Sequence, residues 1–91
     1  MKIKDFLQMA TDTSVEDIIL FNYDEHQDFY YGKIDDLIEN AEEYPESDLA
    51  AILDSELRQW DVCNGNLNIN FDWFDIYDDH PELLKKHLEE D

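Results

Sequence analysis

Residues 59–71 read QWDVCNGNLNINF. Asn64-Gly65 separates two runs of strand formers, and this dipeptide suits a two-residue type I′ turn, whose central residues both need positive φ. Such a turn pairs Cys63 with Asn66, and outward from that pair Val62 faces Leu67 and Trp60 faces Ile69 on one side of the sheet. On the opposite face it pairs Asp61 with Asn68 and Gln59 with Asn70. A slip of one residue would mix the apolar and polar sets, so the pattern specifies its own register. The expectation is a hairpin with one face for the core and one wet, polar outer face.

Reading outward from this hairpin gives the rest of the layout. Asp17–Asp24 (DIILFNYD) is short, rich in strand formers and bounded by polar residues, as expected of a largely buried strand. DEHQD reads as a turn, and Asp28–Lys33 (DFYYGK) as the returning strand of another hairpin. Ile3, Phe6, Leu7 and Ala10 recur at helical spacing and predict a short helix over residues 2–10, followed by a polar break from Thr11 to Ser14. Ile34, Leu37, Ile38 and Ala41 repeat the helical pattern, with Asp35 and Asp36 placed favourably in the first turn. Pro45 interrupts it, and Ser47 can cap a further helix carrying Leu49, Ile52 and Leu53. Asp72–Asp79 (DWFDIYDD) fits either an extension of the strand or a helical turn. Pro81 suits the first position of a last helix through Leu83, Leu84 and Leu88, with Lys85 and Lys86 complementing its dipole. The order α-β-β-α-(α)-β-β-α predicts an α+β fold: a small antiparallel sheet of about four strands, made of two hairpins, with short helices packed on one face.

Ninety-one residues form one domain's worth of chain, so residues 1–91 are expected to share a single core. Hydrophobic residues make up 43% and aromatics 13%, which is enough for that core and too much for a disordered acidic tail. Phe29, Tyr30, Tyr31, Trp60, Trp73, Phe74 and Tyr77 are expected mostly in it, although alternation forbids Phe29, Tyr30 and Tyr31 from all pointing one way. The outstanding feature is charge: 25 Asp and Glu against six Lys and Arg, a net charge of −19. The opening MKIKDFLQ lacks the apolar run of a signal peptide, and no stretch is long and apolar enough to span a bilayer. Anionic lipid would repel such a surface, so no membrane partner and a cytoplasmic location are expected.

The pattern offers little chemistry. With only Gly32 and Gly65, it contains neither a phosphate-cradling loop nor a dinucleotide fingerprint. Ser14, Ser47 and Ser55 lie in no nucleophile-elbow pattern. Cys63, the only cysteine, rules out an intrachain disulfide and a cysteine-based zinc site. His80 and His87 are two helical turns apart, beyond the usual i,i+4 ligand pair. His26 lies between Asp24 and Asp28 without the glycine or spacing of a calcium loop. No catalytic residue, metal site or cofactor is assigned, and the expectation is a binding protein that is not an enzyme.

The acidity indicates what would be bound. Gripping nucleic acid needs clustered Lys and Arg, so direct nucleic-acid binding is excluded. A rigid domain covered with carboxylates can instead occupy the basic surface of a nucleic-acid-binding protein or nuclease, with long-range steering speeding association. Two groups of acids could supply the contacts. One is Asp61, Asp72, Asp75, Asp78 and Asp79 around the second hairpin and its extension. The other is Asp35, Asp36, Glu39, Glu42 and Glu43.

In size, acidity and short α+β pattern (a KIKDFL helix, an IILFNYD strand, then YYGKIDDL), residues 2–71 resemble small acidic phage and mobile-element proteins of the anti-CRISPR and anti-restriction type. Several of these are nucleic-acid mimics. The resemblance implies an inhibitor acting in a host cytoplasm on a CRISPR effector or restriction enzyme, and it assigns no site residues. The alternative expectation is a phage or mobile-element accessory or assembly protein that docks through apolar contacts, its acidity serving only solubility.

Overall fold

A computed structural model describes residues 1–10 and 17–89. Along the chain run α1 (Ile3–Ala10), β1 (Asp17–Asn22), β2 (Gln27–Gly32), α2 (Ile34–Glu43), α3 (Asp48–Leu53), β3 (Gln59–Cys63), β4 (Asn66–Phe71), α4 (Trp73–Asp79) and α5 (Pro81–Glu89). The α+β class holds, as do both hairpins. The expected break at Thr11–Ser14 lies outside the described residues. No helix among them is long and apolar enough to cross a membrane.

The β3–β4 hairpin has the register expected of it, from Cys63 opposite Asn66 to Gln59 opposite Asn70. Asn64 at φ 55° and Gly65 at φ 81° supply the positive-φ turn. In β1 and β4 every second residue is buried, so Ile18, Leu20, Leu67, Ile69 and Phe71 face the core. They join Ile3 and Leu7 of α1, Ile34 and Leu37 of α2, Ile52 and Leu53 of α3, Ile76 of α4 and Leu83 of α5 in one cluster. Each fully buried Ile or Leu contributes about 1.5–3 kcal/mol relative to exposure. The other side of β1 and β4, Ile19, Phe21, Asn68 and Asn70, is only partly covered.

The expected all-antiparallel sheet is corrected to a mixed one. The strand order is β2-β1-β4-β3, and the inner pair β1 and β4 run parallel, with Ile18 beside Leu67 and Leu20 beside Ile69. The chain leaves the sheet at the β2 edge, passes through α2 and α3, and re-enters at the far edge as β3. Each hairpin is antiparallel within itself, but this helical crossover makes the hairpins meet through strands of the same direction.

Three local ambiguities are resolved. Residues 73–79 are helical, because the Asp72 carboxylate caps α4 by accepting the Asp75 N–H at 2.8 Å. Ser47 caps α3 as expected, accepting from the Ala50 N–H. A bulge between Leu20 and Phe21 in the β1–β2 pairing sets Tyr30 opposite Leu20 and Asp28 opposite Phe21. Phe29 is the extra residue, and its ring meets the core residue Phe71 edge-on at 5.6 Å, while Tyr30 packs on the core and Tyr31 is exposed.

The expected burial of aromatic and helical apolar residues holds only in part. Phe74 is 78% exposed and Leu88 69%, while Leu84, Trp60 and Tyr31 are also exposed. Only Leu83 of the three α5 leucines is buried. A nine-residue helix lying on the edge of a small core presents too narrow a contact for all three.

Candidate functional site

Helix α2 forms because Ile34 and Leu37 bury one face in the core, with Ile38 and Ala41 packed beside them. The same 3.6-residue period sends Asp35, Asp36, Glu39 and Glu43 away from that face and Glu42 to its flank, and all five are exposed. Acids spaced three and four residues apart stand about 5–6 Å from each other, so they make one continuous carboxylate ridge on the order of 12 Å long. No ion pair among the described residues involves any of the five.

The ridge is locally unfavourable to its own helix. Like charges at i,i+4, such as Asp35 with Glu39 and Glu39 with Glu43, each cost about 0.2–0.5 kcal/mol. Glu42 and Glu43 also lie at the negative end of the helix dipole, and the last turn has no basic residue. Only Asp35 and Asp36 sit where the dipole favours them. Among the described residues no ion pair compensates for the remainder.

The carboxylates of α3 and α4 are arranged differently. Asp54, at the end of α3, takes Lys2 and Lys4 at 2.9 Å each and the His80 imidazole at 3.3 Å. The Lys4 and Lys2 ammonium groups hold its carboxyl at about 2, against an ordinary 3.8. Asp48 takes Lys86 at 3.2 Å and His87 at 3.1 Å. Arg58 lies between Asp75, at 3.7 Å, and Asp79, at 3.3 Å. Asp79 also accepts the Glu56 N–H at 3.0 Å, and that bond, with Arg58, lowers its pKa. Asp75 moves the other way, because its burial and the neighbouring Asp72 charge outweigh Arg58.

The two groups of acids expected from the sequence therefore have different fates. The α2 group is brought together on one exposed face. The second group is divided. Asp72 caps α4, Asp75 and Asp79 share Arg58, and Asp61 lies on β3, accepting from Asn68 Nδ2 at 3.1 Å. Asp78 is exposed and has no ion pair among the described residues. Sequence reasoning missed Asp24, Asp48 and Asp54. Asp24 ties the β1–β2 turn to α4 by accepting the Trp73 N–H at 2.7 Å. The partners of Asp48 and Asp54 lie on remote elements, so no local pattern marks these two.

Both half-buried histidines are engaged at both ring nitrogens. His80 lies between Asp54 and Glu82, and His87 between the Tyr77 hydroxyl, at 2.7 Å, and Asp48. The Trp73 ring meets His87 edge-on at 4.9 Å. A cleft of about 520 Å³ opens among α1, α2, α3 and α5. Its lining combines aliphatic residues such as Ile38, Ala51 and Leu83 with the acids Glu42, Glu46 and Glu82, and its cations Lys4 and Lys86 are bound to Asp54 and Asp48. No group of three or more His, Cys, Asp and Glu among the described residues could hold a metal ion. Comparison with known protein families, with curated proteins and with solved structures finds no match for this chain.

Proposed function

We propose that this protein is a noncatalytic acidic binding protein that sets the α2 ridge against the basic surface of a nucleic-acid-handling protein. A CRISPR effector or restriction enzyme, inhibited by mimicry of its nucleic acid, is the target class that fits the chain's resemblance to acidic phage proteins. The observation that carries the reading is the row Asp35, Asp36, Glu39, Glu42 and Glu43: exposed, contiguous, without an ion pair among the described residues, and holding like-charge contacts that are costly to its own helix. A sequence that breaks a local rule without structural compensation marks a functional position. Carboxylates about 5–6 Å apart on a rigid helix offer Arg and Lys a regular row of charge-assisted partners. The engagement of both ring nitrogens of His80 and His87 further supports binding over proton-transfer chemistry.

Capture from a lysate of the cell in which the protein acts, at low and at high salt, tests this reading. The expected result is a nucleic-acid-binding protein or nuclease, released by salt and displaced by added DNA or RNA. A salt-resistant partner indifferent to nucleic acid would reject it. Such a result would favour the second reading, a phage or mobile-element assembly protein docking through apolar surface, to which the exposed Phe74 and Leu88 give support.

A further inference from the structure

The two edges of the sheet differ in how open they are to another strand. At the β2 edge the pairing is interrupted by the bulge, a device that spoils a template for strand addition. At the other edge β3 pairs with β4 through five consecutive residues without irregularity, and all five β3 residues are exposed. With a two-residue turn, Cys63, Asp61 and Gln59 exchange hydrogen bonds with β4, and Trp60 and Val62 turn their N–H and C=O groups away from it. Among the described residues no backbone hydrogen bond outside the ladder engages those groups. The Trp60 and Val62 side chains point to the core side of the sheet, yet stay 49% and 54% exposed, because the helices do not reach past Phe6 to cover them. Asp61 stands between them on the opposite face.

We propose that the β3 edge accepts an extended segment of a partner protein as a fifth strand, and that this segment alternates apolar and basic residues. Main-chain bonds to Trp60 and Val62 would hold it, its apolar residues would cover those two side chains, and its Lys or Arg would face Asp61. Charge argues against a second copy of this chain as the occupant. The self-pairing that covers Trp60 and Val62 on both copies sets Asp61 directly opposite Asp61, between molecules that each carry −19. This edge lies on a different element from α2, so it stands or falls separately from the ridge.

The test uses the full-length protein and a fluorescently labelled, end-capped peptide of alternating valine and arginine, with binding read by anisotropy. The controls are a peptide of the same composition with its valines and arginines in two blocks, and the alternating peptide N-methylated at every second amide, in each of the two phases. The expected result is that the alternating peptide binds about tenfold or more tightly than the block peptide, and that N-methylation in one phase removes the gain. Val62→Pro, at an outward-facing edge position that tolerates proline, and Asp61→Lys should each weaken binding about tenfold. Glu89→Gln, at an exposed acid of α5 that belongs to neither surface, should change it by less than about threefold. Equal binding of the block and N-methylated peptides would overturn the proposal, because charge alone would then explain the affinity. Absence of binding would overturn it too, as would sedimentation showing a dimer of this chain that Val62→Pro dissociates.

Discussion

On α2 five carboxylates stand in a row without a cation partner among the described residues, whereas around α3 and α4 the acids Asp48, Asp54, Asp75 and Asp79 each hold at least one. Four of the six basic side chains, Lys2, Lys4, Arg58 and Lys86, take part in these pairs. The scarce positive charge is concentrated where helices must be held to one another. A net charge of −19 is thus not an even coat: one part of the molecule uses acids as internal fasteners and another leaves them uncompensated. What separates the two is the presence of partners, since the residue types are the same.

The largest expected effect of breaking this contrast is on binding. Glu39→Lys, Glu42→Lys and Glu43→Lys together should lower affinity for the captured partner on the order of 100-fold. Asp72→Asn, which keeps the cap and removes a charge outside the ridge, should leave affinity within a few-fold. Calorimetric titration of the two variants side by side checks both statements.

Next in size is the loss of a fastener. Asp54→Ala removes the acceptor shared by Lys2, Lys4 and His80 and should cost about 1–2 kcal/mol, lowering the melting temperature by several degrees. Its pH dependence has a definite sign. The folded carboxyl sits at about 2, below its ordinary 3.8, so its stabilisation is complete above 3.8 and is lost as pH falls through about 2. Asp79, also lowered, acts in the same direction. Asp75 is raised, so its contribution is present at low pH and is lost as pH rises through its folded value. Thermal melts between pH 3.8 and 2 should therefore show a steeper loss in the parent than in Asp54→Asn.

Smaller effects sharpen the same contrast. Asp72→Ala should destabilise by about 1 kcal/mol through loss of the α4 cap, whereas Asp72→Asn should be neutral, showing that the oxygen matters there and the charge does not. The α2 triple lysine variant should gain about 0.5–1 kcal/mol in denaturant unfolding at low salt, as repulsion and the unfavourable dipole contacts disappear. Opposite signs on stability and affinity at one set of positions would identify a ridge retained for binding.

Legibility in the sequence followed the range of the interactions. The β3–β4 register was readable because Asn64-Gly65 and the alternation around it are local. The α2 period was readable too, and with it the grouping of Asp35, Asp36, Glu39, Glu42 and Glu43. The parallel pairing of β1 with β4 was not, since Ile18 and Leu20 alternate identically beside a strand of either direction. Helix α4 was hidden because Phe71 and Trp73 continue the strand alternation across the Asp72 cap. The roles of Asp48, Asp54 and Asp79 depend on cations brought from elsewhere in the chain, and no local spacing encodes them.

The most direct test of the central claim is the salt dependence of affinity for the captured partner, compared between the parent and Glu39→Lys/Glu42→Lys/Glu43→Lys. If the ridge is the binding surface, the parent's affinity falls steeply with salt, and the variant's is weak and nearly flat. Parallel lines of equal affinity would contradict the account and assign binding to another face of the molecule.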